Sequence, residues 1–119
     1  RALTSLRPEL GGAVLVATLS LDDFAATGTG PEDTDGLIDE FRDCPGVEVA
    51  VLIKQLEPSL WSVSLRSQQV NVATVAAAFG GGGHRVAAGC TVPGELAGVR
   101  QAVLDQIRAH LAPGVASHD

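Results

Sequence analysis

The chain has 119 residues, 45% of them hydrophobic and 18% charged, with 14 Gly, 6 Pro and a net charge of −6. That length fits one domain rather than two, and the apolar fraction excludes wholesale disorder. There is no apolar run near the roughly 20 residues of a membrane helix and no signal-peptide pattern, and the acidity argues against a nucleic-acid binder with a broad basic face.

Residues 1–10 read as a linker or the end of an interdomain helix, broken by Pro8 and then Gly11-Gly12. A start inside an apparent helix is what a fragment of a longer chain would show. Residues 13–21 (AVLVATLSL) form the first expected strand, apolar enough to be buried on both faces. Asp22-Asp23 caps a short turn over residues 24–26, and residues 27–31 (TGTGP) make a loop. Thr34 or Asp35 then starts a helix through residue 43, with Leu37, Ile38 and Phe41 on its apolar face and Pro45-Gly46 at its stop. Charge concentrates here: residues 22–43 hold eight acids against Arg42 alone, which leaves +1 for the rest. An anion site on this chain therefore has to be small and local.

Residues 47–56 and 61–67 are the second and third strands, and the short Glu57-Pro58-Ser59 link makes them antiparallel neighbours. In the third, Trp61, Val63 and Leu65 share one face, and Ser62, Ser64 and Arg66 share the other. Asn71 is an N-cap, and Val70 before it is placed to staple against Val75. The helix of residues 72–79 is small and apolar and runs into Gly80-Gly81-Gly82-Gly83-His84. Residues 89–92 make a short last strand, and from Glu95 a long amphipathic helix buries Leu96, Val99, Val103, Leu104, Ile107 and Leu111. This order predicts an α/β fold: a single domain with a mixed β-sheet of about 4–5 strands flanked by helices. Residues 11–112 form that domain, and residues 113–119 fray as a tail. Cys44 and Cys90 lack Cys-x-x-Cys spacing and read as reduced thiols of a cytoplasmic protein.

The glycine run is the strongest chemical signal. Glycine weakens regular structure by roughly 0.5–1 kcal/mol relative to Ala, so four in a row imply unusual dihedrals or close contact with something. Successive N–H groups can form a concave nest for an anion such as phosphate. The His84 imidazole can donate to a phosphate oxygen or, protonated, carry positive charge. The plainer reading is a flexible C-cap linker. No Lys-Ser or Lys-Thr follows, so the run is not a Walker loop. Arg66, flanked by Ser64 and Ser67, can grip a phosphate bidentately or stack on a base, or can simply be a solvated surface arginine. Asn71 has a cap role that already explains it. His110 suits a helix C-terminus, His118 sits in the tail, and the acidic stretch lacks Ca²⁺-loop spacing.

The segment Phe79-Gly80-Gly81-Gly82-Gly83-His84-Arg85-Val86-Ala87-Ala88-Gly89 resembles the signature of the DHH-associated domain. This is the C-terminal half of the Asp-His-His phosphoesterases, in particular their bacterial nano-RNase and pAp phosphatase branch. Asp33-Thr34-Asp35-Gly36-Leu37-Ile38 and Val63-Ser64-Leu65-Arg66-Ser67 agree in order and spacing. The resemblance implies Gly81, Gly82, Gly83, His84 and Arg66 as substrate contacts, with Ser67 and Asn71 as weaker candidates. It implies short oligoribonucleotides, pAp or cyclic dinucleotides as substrates, no cofactor in this domain, and Mn²⁺ in an N-terminal Asp-His-His domain of the same parent chain. A homodimer of the full-length protein and no membrane partner also belong to the expectation. No Asp-His-His occurs in this sequence. By that departure the chain is the substrate-binding half, without catalytic residues and inactive alone. The alternative is a non-catalytic RNA-binding module like the C-terminal domain of alanyl-tRNA synthetases. An exonuclease of long single strands and an oligomerisation module are weaker readings.

Overall fold

Alternating apolar side chains on four strands build a sheet with two unequal faces. The computed structural model describes residues 5–20 and 35–110. In chain order these form β1 (Ser5–Glu9), a 3-10 turn (Leu10–Gly12), β2 (Val14–Leu19), α1 (Asp35–Arg42), β3 (Val49–Glu57) and β4 (Leu60–Ser67). They continue with α2 (Val72–Ala77), β5 (Gly82–His84), β6 (Ala87–Pro93) and α3 (Leu96–His110). The sheet order is β1-β2-β3-β4-β6-β5. β2 and β3 run parallel, joined by the crossover that contains α1, and every other pairing is antiparallel.

The first face carries Val14, Val16, Val51, Ile53, Val63 and Leu65 beneath α2 and α3, which contribute Val72, Val75, Val99, Val103 and Ile107. The opposite face is covered over β2 and β3, where Ala17, Leu19, Ala50 and Leu52 pack under Ile38 and Phe41 of α1. Beyond β3 that second face changes character. Ser62, Ser64 and Arg66 of β4, Ala87 and Gly89 of β6, and Gly82 and His84 of β5 are small or polar, and none is buried. Trp61 ties the far end of the sheet, donating from Nε1 to the Gly94 carbonyl at 2.9 Å.

The α/β class and mixed sheet are as expected, and two edge strands widen the sheet to six. The linker or helix end expected at residues 1–10 is instead β1 over Ser5–Glu9, with Ser5 opposite Thr18 and Glu9 opposite Val14. Pro8 is tolerated because β1 is an edge strand, where a missing N–H need not break a ladder. Gly11 and Gly12, at φ 73° and 91°, reverse the chain. The glycine run, expected as loop, contributes the other edge strand, β5. The expected turn and loop over residues 22–31, the Thr34 cap and the 113–119 tail lie outside the described residues.

Two glycines of the run differ sharply in surroundings. A Cβ at Gly81 would sit 2.2 Å from the Gly89 carbonyl oxygen and 2.6 Å from the Cys90 Cβ, whereas one at Gly82 would meet nothing within 4 Å. Gly81→Ala should therefore destabilise the fold by roughly 1–3 kcal/mol through overpacking. Gly82→Ala should stay within about 0.5 kcal/mol of wild type. Urea unfolding of both variants checks the contrast.

Candidate functional site

The site begins where α2 ends. Gly80, at φ 83°, donates its N–H to the Ala77 carbonyl at 3.1 Å, and Gly81 donates to the Ala76 carbonyl at 2.9 Å. This is a Schellman cap with glycine in its left-handed position. Two of the four glycine N–H groups are thus committed to the helix, so the run is not a nest of four open donors as the sequence suggested. Gly82 and Gly83 continue into β5. Gly83, at φ 145°, lies so close to β6 that a Cβ would meet Ala88 Cα at 2.6 Å.

Register then assembles the candidate residues. Arg66 of β4 lies opposite Ala87 of β6, and Ala87 lies opposite His84 of β5. Directly paired residues project to the same face, so Arg66 and His84 share the face left open among the described residues, about 10 Å apart across two strand spacings. Between them the floor is Ala87, with Gly89 paired to both Ser64 and Gly82 along the next row. The β5–β6 turn is fixed from behind: Ser67 N–H donates to the Val86 carbonyl at 3.0 Å, and Val72 N–H to the Arg85 carbonyl at 2.8 Å.

Arg66 is not the partnerless arginine its sequence neighbours imply. Its Nε lies 3.3 Å from Asp39 Oδ1 on α1, and its Nη1 donates to the Leu65 carbonyl at 3.1 Å. Asp39 also lies 3.7 Å from Arg42 Nη1, and Arg42 Nε bonds Asp43 at 3.0 Å. That hydrogen bond to Asp43 raises the Arg42 guanidinium above its ordinary pKa. Asp39 is the site residue that sequence reasoning missed, because only the packing of α1 on the sheet brings it to β4.

Two weaker candidates are occupied elsewhere. Ser67 is buried on the core side of β4, away from Arg66, and its hydroxyl donates to the Val70 carbonyl. Asn71 caps α2, its Oδ1 accepting from Ala73 N–H at 3.1 Å and Thr74 N–H at 3.4 Å. His110 Nδ1 meets the Gln106 carbonyl on its own helix at 2.8 Å. A cleft of about 310 Å³ at the C-terminal end of α1 is lined by Asp43, Cys44 and Glu48 among others, but by neither Arg66 nor His84. Its carboxylates oppose an anion. Among the described residues, no three His, Cys, Asp or Glu side chains are grouped to hold a metal ion, and no helix is long and apolar enough to cross a membrane.

Residues 11–112 match the model of the DHHA1 domain. An exopolyphosphatase-related protein from Bacteroides fragilis is similar with a TM-score of 0.80 and 17% identity, over 91% of this chain and 32% of that one. A pGpG-specific phosphodiesterase from Vibrio cholerae is similar with a TM-score of 0.55 and 17% identity, over 83% of this chain and 34% of that one. The C-Ala domain of alanyl-tRNA synthetase from Aquifex aeolicus gives 0.58 and 14% identity, over 79% of this chain and 87% of that one. The chain spans about a third of the length of the first two. At these identities the likeness is one of fold.

Two outcomes follow from the side-chain surroundings. Asn71→Ala should cost about 1 kcal/mol of stability, and Asn71→Asp, which keeps a capping oxygen, should restore most of it, as thermal unfolding will report. Burial pushes the Cys90 thiol up, while Cys44 is exposed. An aromatic disulfide reagent should modify one thiol per folded chain, at Cys44, and the second only on unfolding.

Proposed function

The chain belongs to the DHHA1 domain family, and on that premise we propose that it is the nucleotide-binding portion of a DHH-family phosphoesterase. Short oligoribonucleotides, pAp or cyclic dinucleotides are its substrate class. The observation that carries this reading is the register row: Arg66, Ala87 and His84 stand side by side on the open face. A guanidinium on one flank and an imidazole on the other supply donors to phosphate oxygens. The Ala87 and Gly89 floor has almost no side chain, so a ligand can approach the backbone closely. Asp39 fixes Arg66 in advance, which lowers the ordering cost of binding.

Hydrolysis in this reading takes place in a companion Asp-His-His domain in the cytoplasm, where Mn²⁺ would supply activated water. Among the described residues none are grouped to hold that metal, and the part this chain plays is to bind and orient. Positioning a phosphoester against a separately held nucleophile is a recognised share of catalysis, and the chain alone should not hydrolyse substrate.

The second reading, an RNA-binding module, draws on the fold likeness to the C-Ala domain. Calorimetric titration with a phosphorylated diadenylate and with tRNA separates the two. The dinucleotide should bind, and Arg66→Ala and His84→Ala should each weaken it, Arg66→Ala by about tenfold or more. Tight binding of tRNA without dinucleotide binding would move the assignment to the second reading.

A further inference from the structure

His84 stands exposed on the outer strand of the open face, with Ala87 opposite it on β6 and Arg66 one strand further on. Its strand packs against α2 and β6. The α2 segment VATVAA carries no titratable side chain, and the titratable group of β6, Cys90, is buried in the core on the other side of the sheet. Arg85 follows His84 in the chain and is exposed. No carboxylate pairs with His84 among the described residues. Within that set the imidazole has no anionic partner, and a bound phosphate supplies one.

The charges across the face offset one another. Arg66 lies 3.3 Å from Asp39, and Arg42 lies 3.7 Å from Asp39 and 3.0 Å from Asp43, so two guanidinium groups meet two carboxylates. Carboxylates and guanidinium groups ordinarily keep their charge between about pH 5 and 8, whereas an imidazole changes its own there. A neutral His84 leaves the anion facing a cation that Asp39 already offsets. A protonated His84 adds a full positive charge on the flank opposite Arg66, and an ionised donor bonds a phosphate oxygen about twice as strongly as a neutral one. Linkage works in both directions: an anion that prefers the protonated ring also draws a proton on to it.

We propose that nucleotide binding on the open face is coupled to proton uptake at His84, so that the face holds a phosphodiester more tightly as pH falls. The coupling rests on the nucleotide-binding reading and adds to it a control by pH. Affinity is highest below the imidazole range and is lost as pH rises through it, because the protonated ring is the better partner of a phosphate. Arg85 keeps its charge throughout and contributes nothing to the slope.

A triadenylate with free 5′- and 3′-hydroxyls is the probe, because its phosphodiesters keep one charge each over this range, whereas a terminal phosphate titrates at about pH 6. Calorimetric titration of the chain should show binding about fivefold tighter at about pH 5.5 than at about pH 8, with net proton uptake read from buffers of different ionisation enthalpy. His84→Gln should abolish both the pH dependence and the uptake. His110→Gln, at the end of α3, should change neither. A second readout needs no binding by a variant: the Hε1 resonance of His84 in wild type should titrate about half a unit or more higher with the triadenylate than without it. Equal affinity at the two pH values, an unmoved His84 resonance, or a pH dependence that survives His84→Gln or vanishes in His110→Gln would each overturn the coupling. If the triadenylate binds and only the pH dependence is missing, the coupling falls and the nucleotide-binding reading stands. If it binds at neither pH, that reading falls and takes the coupling with it.

Discussion

The open face depends on the missing side chains at Gly81 and Gly83. A methyl at either position would collide with the backbone of β6, and β5 could not keep its place beside it. Without β5 there is no third strand to carry His84, and Arg66 would stand alone at the rim of β4 and β6. The glycines therefore act first through packing. Chain backbone is brought together at a distance that leaves no room for Cβ, and the imidazole is positioned as a result.

Electrostatics on this face is a local matter. Asp39 lies between Arg66 and Arg42, so three charges of α1 and β4 form one short array. Beyond about 8–10 Å in physiological salt the remaining acids are largely screened. Hydrogen bonds at contact range then decide what binds, even on a chain that is acidic overall. Because Asp39 is half exposed, at 48% of its side-chain surface, its pairing with Arg66 matters more for aim than for stability.

What the sequence made legible was mostly local. The Ser62-Ser64-Arg66 alternation, the Asn71 cap and the buried Val99, Val103, Leu104 and Ile107 of α3 all depend on residues a few positions apart, and each is in the structure; Leu96 is half-buried, and Leu111 lies outside the described residues. The N-terminal strand was hidden because Pro8 and a glycine pair look like breakers, and only pairing with β2 makes such a segment extended. The glycine run looked uniform but divides in two, its first half capping a helix and its second half forming an edge strand. The Asp39 contact with Arg66 was beyond reach, since it requires knowing that α1 lies over that part of the sheet. The resemblance implies Ser67 as a weaker contact, and strand alternation sends it to the other side.

The cap at the end of α2 has a dynamic consequence. The Ala76 carbonyl holds the N–H of Gly81, one residue before β5 begins, so the last turn of the helix and the start of the edge strand share a hydrogen bond. Fraying of that turn releases the residue from which the edge strand starts. Opening of the His84 margin is thereby tied to the helix end, and its free energy draws on the stability of α2 as well as on the short ladder of β5.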